Sequence, residues 1–311
     1  MQQELTNKLQ QLYEDALSTC QQGSPADYIP ALAKANAQLF AVSIASQQLT
    51  TQLGDSTERF TLQSIVKVIS FMVATEARGV EEVMHYVDLE PTGDAFNSMI
   101  RLESSKPGKP FNPMINAGAI TIASLLHGTT PNEKVDTVLD FLEQLLHKRP
   151  SINGEVFLSE FDTAHRNRAI AYHLKANGFI VGDVETALKA YLLLCSIEVT
   201  TQDLAKMGLF LATDGEGAPF ISPHILKITK ALMMTCGMYN ASGKVAAFIG
   251  IPAKSGVSGG VLACLKDATI EGHHGAIGIG LFSPAIDDVG NSVASMHMLK
   301  QLADHYHLSY F

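Results

Sequence analysis

Two strand-like stretches, a long helical block and three more strand-like stretches follow one another along the chain, and this order constrains its fold more than any other feature. Leu39 to Ala45 is a β-type apolar run, and Leu49 to Leu53 reads as its hairpin partner, ending at Gly54-Asp55. From Ser64 to about Ala212 the pattern is helical, over 65–78, 79–87, 116–127, 132–147, 160–177, 183–195 and 200–212. A helix at 223–235 precedes strands at Val245 to Gly250, Gly260 to Leu265 and Ala276 to Phe282. Leu5, Leu9, Leu12 and Ala16 recur at helical spacing, which predicts an amphipathic helix over 3–19, and Asn291 to His305 closes the chain as another. The fold class is therefore α+β, with a five-stranded, mostly antiparallel sheet carrying the terminal helices on a face. Residues 1–63 and 216–311 would form this discontinuous unit, and 64–215 a helical lobe inserted into it. Small-molecule sites usually form in clefts between lobes, so the active site is expected there.

Composition narrows the function. A chain of 311 residues buries a core large enough to need no disulfide or metal staple. A net charge of −9 without any basic block argues against nucleic acid and anionic membrane as partners. The opening MQQELTNKLQQLYEDAL has no apolar h-region of a secretory signal, and no apolar run approaches a membrane span. Cys20, Cys195, Cys236 and Cys264 are far apart, without metal-type spacing, and read as reduced thiols of a cytoplasmic protein. In Glu271-Gly272-His273-His274 the histidines are adjacent, not at i,i+4, and no third ligand is in register. That stretch reads as a polar turn between two strands, with no metal site.

Ser64 and Lys67 stand three residues apart at the start of the helical block. Residues i and i+3 share a helix face, so the lysine can lie against the serine. A serine hydroxyl needs such a base to become a nucleophile. Helix 65–78, with Gly79 as C-cap, places Ser64 in the first turn, where backbone N–H groups favour an oxyanion. Far downstream comes Lys254-Ser255-Gly256, followed by Gly259-Gly260. Ser-x-x-Lys early and Lys-[Thr/Ser]-Gly late is the arrangement of the penicillin-binding and β-lactamase fold. The Ser-Asp-Asn element of those enzymes is missing, which points to a sister family with a different substrate.

Several stretches together resemble one such family, the serine-dependent glutaminases of the bacterial and kidney/liver type. They are Asp27-Tyr28-Ile29-Pro30, Gln63-Ser64-x-x-Lys67, Pro91-Thr92-Gly93 with Phe96-Asn97-Ser98, and Asn112-Pro113-x-x-Asn116-Ala117-Gly118-Ala119. Further on stand Ser159-Glu160, Asn167-Arg168-Ala169-Ile170-Ala171, Gly237-Met238-Tyr239, Pro252 to Val257, and Asp287-x-x-Gly290-Asn291-Ser292. The resemblance covers nearly the whole chain. It implies a β-lactamase-like fold, hydrolysis of L-glutamine to L-glutamate and ammonia without a cofactor, and a homo-oligomer, dimer or tetramer.

The resemblance also implies roles, each with a plainer alternative. Ser64 is the nucleophile and Lys67 its base, with a pKa depressed by burial. Tyr239 and Tyr28 match family tyrosines at the site, where a phenol relays a proton to departing ammonia; otherwise each packs as a half-buried aromatic. Glu160 matches the acid that faces the substrate α-ammonium; otherwise it is a solvated carboxylate starting a helix. Asn116 and Asn167 offer amide donors to the substrate's carboxylate and carboxamide ends; otherwise they cap helices or form turns. Tyr191 donates to the α-carboxylate or, at helical spacing with Leu194 and Cys195, belongs to the core. The Val257 N–H, with that of Ser64, forms the oxyanion hole. Lys254 holds the site electrostatically or sits in a structural ion pair. Ser258 stands where the family usually has glycine; a glycine-type backbone there would hold the Val257 N–H off its best angle, whereas an unstrained β conformation would leave that donor undisturbed. The competing functions are a β-lactamase or penicillin-recognising acyl-serine enzyme, and a glutamine-binding module without chemistry. The missing Ser-Asp-Asn and the acid Glu160 count against the first. Retention of Ser64, Lys67 and both tyrosines counts against the second.

Overall fold

The computed structural model describes residues 2–217 and 220–311, with side chains from residue 8 onward, so the Leu5 side chain of the expected first helix lies outside the described residues. The strands are β1 (Ala41–Ala45), β2 (Thr50–Gly54), β3 (Phe60–Thr61), β4 (Glu198–Val199), β5 (Ala253–Ser255), β6 (Gly260–Ile270) and β7 (His273–Phe282). Five of them form one sheet in the order β2-β1-β7-β6-β5, with every neighbouring pair antiparallel; β3 and β4 pair separately. The helices are α1 (Gln2–Ser18), α2 (Val66–Arg78), α3 (Val80–Tyr86), α4 (Ile100–Ser104), α5 (Asn116–Leu125) and α6 (Pro131–Leu146). They continue with α7 (Gly154–Thr163), α8 (His165–Ala176), α9 (Val184–Cys195), α10 (Thr201–Ala212), α11 (Pro223–Cys236), α12 (Ser242–Phe248) and α13 (Val293–Tyr306). Among the described residues no helix is long and apolar enough to cross a membrane.

Strand alternation divides the core in two. Val42, Ile44, Val261, Ala263, Ile277 and Ile279 face one way and pack with Leu9 and Leu12 of α1 and Leu299 and Leu302 of α13. Ala41, Leu262 and Cys264 face the other way and join the apolar faces of the helical block. The layer on that side is α10, which lies on the sheet with its backbone close to β7. A Cβ on Gly278 would stand 2.0 Å from the Ala205 carbonyl oxygen and 2.1 Å from the Leu209 nitrogen. Glycine here is a requirement of helix–sheet approach.

The sequence pattern errs in two places. The helix expected over 160–177 is two helices: α7 begins at Gly154, capped by the Asn153 side chain on the Val156 N–H, and the chain breaks at Ala164 before α8. Asn153-Gly154 reads as a turn in sequence, but it is the capped start of a helix. The strand expected at Val245 to Gly250 is helix α12, ended by Gly250 at φ 70°. Short apolar runs fit strand and helix equally. The remaining sheet strand is β5, only 3 residues long and too short to show a period. The β6–β7 hairpin turns at Glu271-Gly272, the first half of the polar turn read from the sequence, while His273 and His274 already belong to β7. His273 is buried beside it, bonded to Thr51 Oγ1 at 2.9 Å and Ser46 Oγ at 3.1 Å.

The α10–β7 contact sets a test of the fold. Overpacking a close-packed site costs about 1–3 kcal/mol, and more where backbone must shift. Gly278→Val is expected to lower unfolding stability by at least about 3 kcal/mol, read as a fall in the urea midpoint at unchanged slope. A midpoint within error of the wild type would mean that α10 does not lie this close.

Candidate active site

After β3 the chain bends sharply at Gln63, whose φ of 47° is left-handed for a non-glycine residue. Such a conformation costs on the order of 1–3 kcal/mol and persists only where its surroundings enforce it. Gln63 is buried, and its amide donates to Thr61 Oγ1 and to Glu160 Oε2, both at 3.4 Å. The bend starts a 3₁₀ turn, Gln63–Ile65, that runs directly into α2. Ser64 sits in that turn, almost wholly buried, on the wall of a cavity of about 180 Å³. Its backbone N–H and that of Val257, which lines the same cavity, have no acceptor among the described residues.

Lys67 follows in the first turn of α2 and is wholly buried. Its ammonium donates to Asn116 Oδ1 at 2.7 Å and to the Met114 carbonyl at 3.2 Å. These are its acceptors among the described residues, and the expected direct bond to Ser64 Oγ is not made. The ammonium carries three donors, so one remains free on the side chain that shares a face with Ser64. Burial lowers the Lys67 pKa to about 8, while Cys195 and Glu160 pull it the other way.

The Asn112-Pro113-Met114-Ile115-Asn116 stretch supplies those acceptors. Asn112 Oδ1 takes the N–H groups of Met114 and Ile115, at 3.0 and 3.2 Å, and so shapes the turn into α5. A Cβ on Gly118 would stand 1.9 Å from the Asn112 carbonyl oxygen, so the first turn of α5 needs glycine to lie on this loop. Asn116 does not cap the helix. Its Oδ1 accepts from Lys67 and from the Tyr191 hydroxyl at 3.2 Å, and its Nδ2 donates to Asn167 Oδ1 at 2.9 Å. Tyr191 of α9 is buried, as the core alternative required, and also lines the cavity; Asn167 of α8 lines it from the side.

Glu160 is buried and sits in the seventh position of α7, not at the start of a helix in solvent. Burial raises its carboxyl pKa to about 7, against the Gln63 hydrogen bond and the Lys67 charge. Among the described residues it has no ion-pair partner. A carboxylate in this state is poised to receive a cation from the cavity.

Tyr239 does not line this cavity but an adjoining pocket with Phe96 and Met114; it sits in a 3₁₀ turn after α11, with a left-handed φ of 51°. Its hydroxyl donates to the Ser255 carbonyl at 3.3 Å and faces Ser64; burial raises its pKa to about 12, against the nearby Ser64 and Ser255 side chains. Lys254 of β5 is wholly buried, with its ammonium 4.5 Å from the Tyr239 ring centre and bonded to the Ser255 carbonyl at 2.7 Å. It has no carboxylate partner among the described residues, so the structural ion pair is not formed. Burial, then the nearby Lys67 charge, depresses its pKa well below the ordinary lysine value. Tyr28 is 52% exposed overall, yet its hydroxyl end lines the cavity. Burial of that end raises its pKa, with Tyr239 and Glu160 adding to the rise.

Ser258 corrects one expectation. Its φ is not left-handed; the left-handed residue in this loop is Gly259, at φ 105°. The backbone conformation that would have held the Val257 N–H off its angle is absent. Sequence reasoning also passed over Gln63 and Cys195. Gln63 lies inside the serine motif, but nothing in its type announces a bond to Glu160. Cys195 is buried four residues after Tyr191 on α9, and its burial raises its thiol pKa well above the ordinary value. That i,i+4 spacing was the available signal.

A carboxylate whose folded pKa exceeds its unfolded value contributes stability that is fully present below the unfolded pKa and lost as pH rises through the folded one. For Glu160 that window runs from its ordinary 4.5 to about 7. Glu160→Gln keeps a neutral amide at every pH. The unliganded variant is expected to match the wild type near pH 4.5 and to exceed it at pH 8 by up to about 3 kcal/mol. Thermal melts at the two pH values check this, and equal melting temperatures at pH 8 would contradict the buried, unpaired carboxylate.

The glutaminase family profile matches residues 23–311. Glutaminase 2 of Bacillus anthracis is 52% identical over 299 residues, covering 93% of this chain and 91% of that protein. Glutaminase 1 of Bacillus subtilis is 50% identical over 296 residues, covering 93% and 90%. A crystal structure of a probable Bacillus subtilis glutaminase superimposes with a TM-score of 0.92 at 46% identity, covering 98% of this chain and 97% of that one. Another is the Bacillus subtilis glutaminase in covalent complex with 5-oxo-L-norleucine, formed by reaction with 6-diazo-5-oxo-L-norleucine. It superimposes with a TM-score of 0.89 at 44% identity, covering 98% and 99%. The α+β architecture expected from the strand order is thus the β-lactamase-like fold shared with these enzymes, and the chain belongs to the glutaminase family.

Proposed function

We propose that this glutaminase hydrolyses L-glutamine to L-glutamate and ammonia through an acyl-enzyme on Ser64, with Lys67 as general base. One observation carries the reading. A buried serine and a buried carboxylate without an ion-pair partner line one small cavity, and a lysine with a pKa brought down to about 8 is bonded to Asn116, which lines it too. The cavity volume of about 180 Å³ lies below the roughly 300–1,000 Å³ of drug-sized sites and suits a metabolite of about ten heavy atoms.

Neutral Lys67 takes the Ser64 Oγ proton as the oxygen attacks the side-chain carboxamide carbon. The carbonyl oxygen gains negative charge, which the free N–H groups of Ser64 and Val257 receive. The tetrahedral intermediate collapses, the C–N bond breaks, and Tyr239 relays the proton held by Lys67 to the departing ammonia, which leaves the lysine neutral again. Water then attacks the ester and gives a proton to Lys67, which passes it to Ser64 Oγ as glutamate leaves. Glu160 holds the substrate α-ammonium. Asn167, Tyr191 and the remaining N–H of Asn116 hold its polar ends, with Tyr28 at the mouth. Recognition of both ends gives selectivity, because an analogue lacking one leaves buried polar groups unpaired. In this reading the site lies between the discontinuous unit 1–63 with 216–311, which brings Tyr28, Tyr239 and Val257, and the unit 64–215, which brings Ser64, Lys67, Asn116, Glu160, Asn167 and Tyr191.

Ser64→Ala is expected to reduce ammonia release from glutamine by several orders of magnitude while keeping the wild-type circular dichroism spectrum. Treatment with 6-diazo-5-oxo-L-norleucine should attach a 5-oxo-L-norleucine group that peptide mapping finds on Ser64 and that Ser64→Ala lacks. More than about a tenth of wild-type turnover in that variant would put another nucleophile at work.

Truncating one partner of a buried charge pair costs about 2–5 kcal/mol. Glu160→Gln should therefore lower kcat/KM on glutamine by at least about 30-fold, and far less on glutaramate, which lacks the α-amino group. Equal losses on both substrates would remove Glu160 from the ammonium site.

A further inference from the structure

Two separate chain segments bring the N–H donors to the oxyanion position: 61–64, ending at Ser64, and 256–259, containing Val257. They touch closely, since a Cβ on Gly256 would stand 2.6 Å from the Leu62 carbonyl oxygen. No backbone hydrogen bond joins them among the described residues. The bond that does is a side-chain one: Ser258 Oγ donates to the Thr61 carbonyl oxygen at 2.6 Å, and Ser258 is buried.

We infer that Ser258 is a positioning residue, which sets the Val257 N–H in register with the Ser64 N–H through its bond to Thr61. The inference rests on the acyl-enzyme reading above. On its own side the loop is a closed unit. The Gly256 N–H donates to the Gly260 carbonyl and the Gly259 N–H to the Gly256 carbonyl, both at 2.9 Å. Its far end is tied to the sheet margin, where Ser283 N–H donates to the Gly259 carbonyl at 3.1 Å. The paired strands β5 and β6 hold both ends of the loop at the sheet, which leaves the tie across to 61–64 to be made from the loop itself. Ser258 supplies that tie three residues before the nucleophile in the partner segment. It touches neither substrate nor reacting atoms, so its effect reaches the chemistry through donor angle.

Loss of a whole oxyanion donor lowers kcat about 10²–10³-fold, and a donor shifted but present should cost less. Ser258→Ala is expected to lower kcat on glutamine about 10- to 100-fold with KM within about twofold, because the geometry matters only when charge develops. Glutamine affinity measured by calorimetry in a Ser64→Ala background should be the same with and without Ser258→Ala. Ser258→Cys keeps the volume with a weaker donor, and its kcat should fall between the two. Wild-type kcat in Ser258→Ala, or a loss confined to KM, overturns the inference. If Ser258→Ala fails to fold, Ser258→Cys decides: depressed kcat at unchanged KM supports the inference, and wild-type kcat overturns it. Absence of glutamine turnover in the wild-type enzyme would instead overturn the parent reading.

Discussion

The candidate site depends on the burial of Lys67. A lysine ammonium removed from water without a carboxylate against it is costly, and the chain meets that cost with two oxygen acceptors, Asn116 Oδ1 and the Met114 carbonyl. Both come from the turn before α5, which Asn112 shapes with its side chain and Gly118 allows by its missing Cβ. The Asn-Pro-x-x-Asn-Ala-Gly stretch is thus the receptor for a lysine 45 or more positions away in sequence. The same burial brings Lys67 toward neutrality near pH 8. Water in the cleft would have left it an ordinary solvated cation.

Glu160 answers the same constraint from the opposite side. Desolvation raises its pKa as it lowers that of Lys67, so both groups lean toward the neutral form. A cationic ligand end beside Glu160 would restore its charge. The unliganded site is therefore held at a cost in stability, and the two apolar cores flanking the sheet are what sustain it.

Backbone strain is concentrated at the same place. Gln63 and Tyr239 both adopt left-handed φ values, one beside Ser64 and the other at the phenol that faces it. Each is locked by its own hydrogen bonds, Gln63 to Thr61 and Glu160, Tyr239 to the Ser255 carbonyl. Ser258 shows the converse. It occupies an unstrained conformation, and its hydroxyl makes a cross-segment bond that glycine would lack.

Much of this was legible in the chain. Hairpin β1–β2, helix α2 with its Gly79 cap, and the terminal helix carry strong local signals: alternation, a sustained helical period and a glycine stop. Ser64, Lys67, Asn116, Glu160, Tyr191 and Tyr239 were nameable because motif spacing survives in one dimension. The split at Ala164, the helix at 242–248 and the three-residue strand β5 were not, since short segments take their state from the surfaces they pack on. The sequence by itself determined the residue types of the candidate site and the fold class, because those rest on side-chain identity and on the longer periodic segments. Only the tertiary structure decided that Lys67 is turned to Asn116 and Met114, that Glu160 is buried without an ion-pair partner, and that Ser258 reaches Thr61. Each of those depends on which groups exclude water from which, and that is a property of the packed chain.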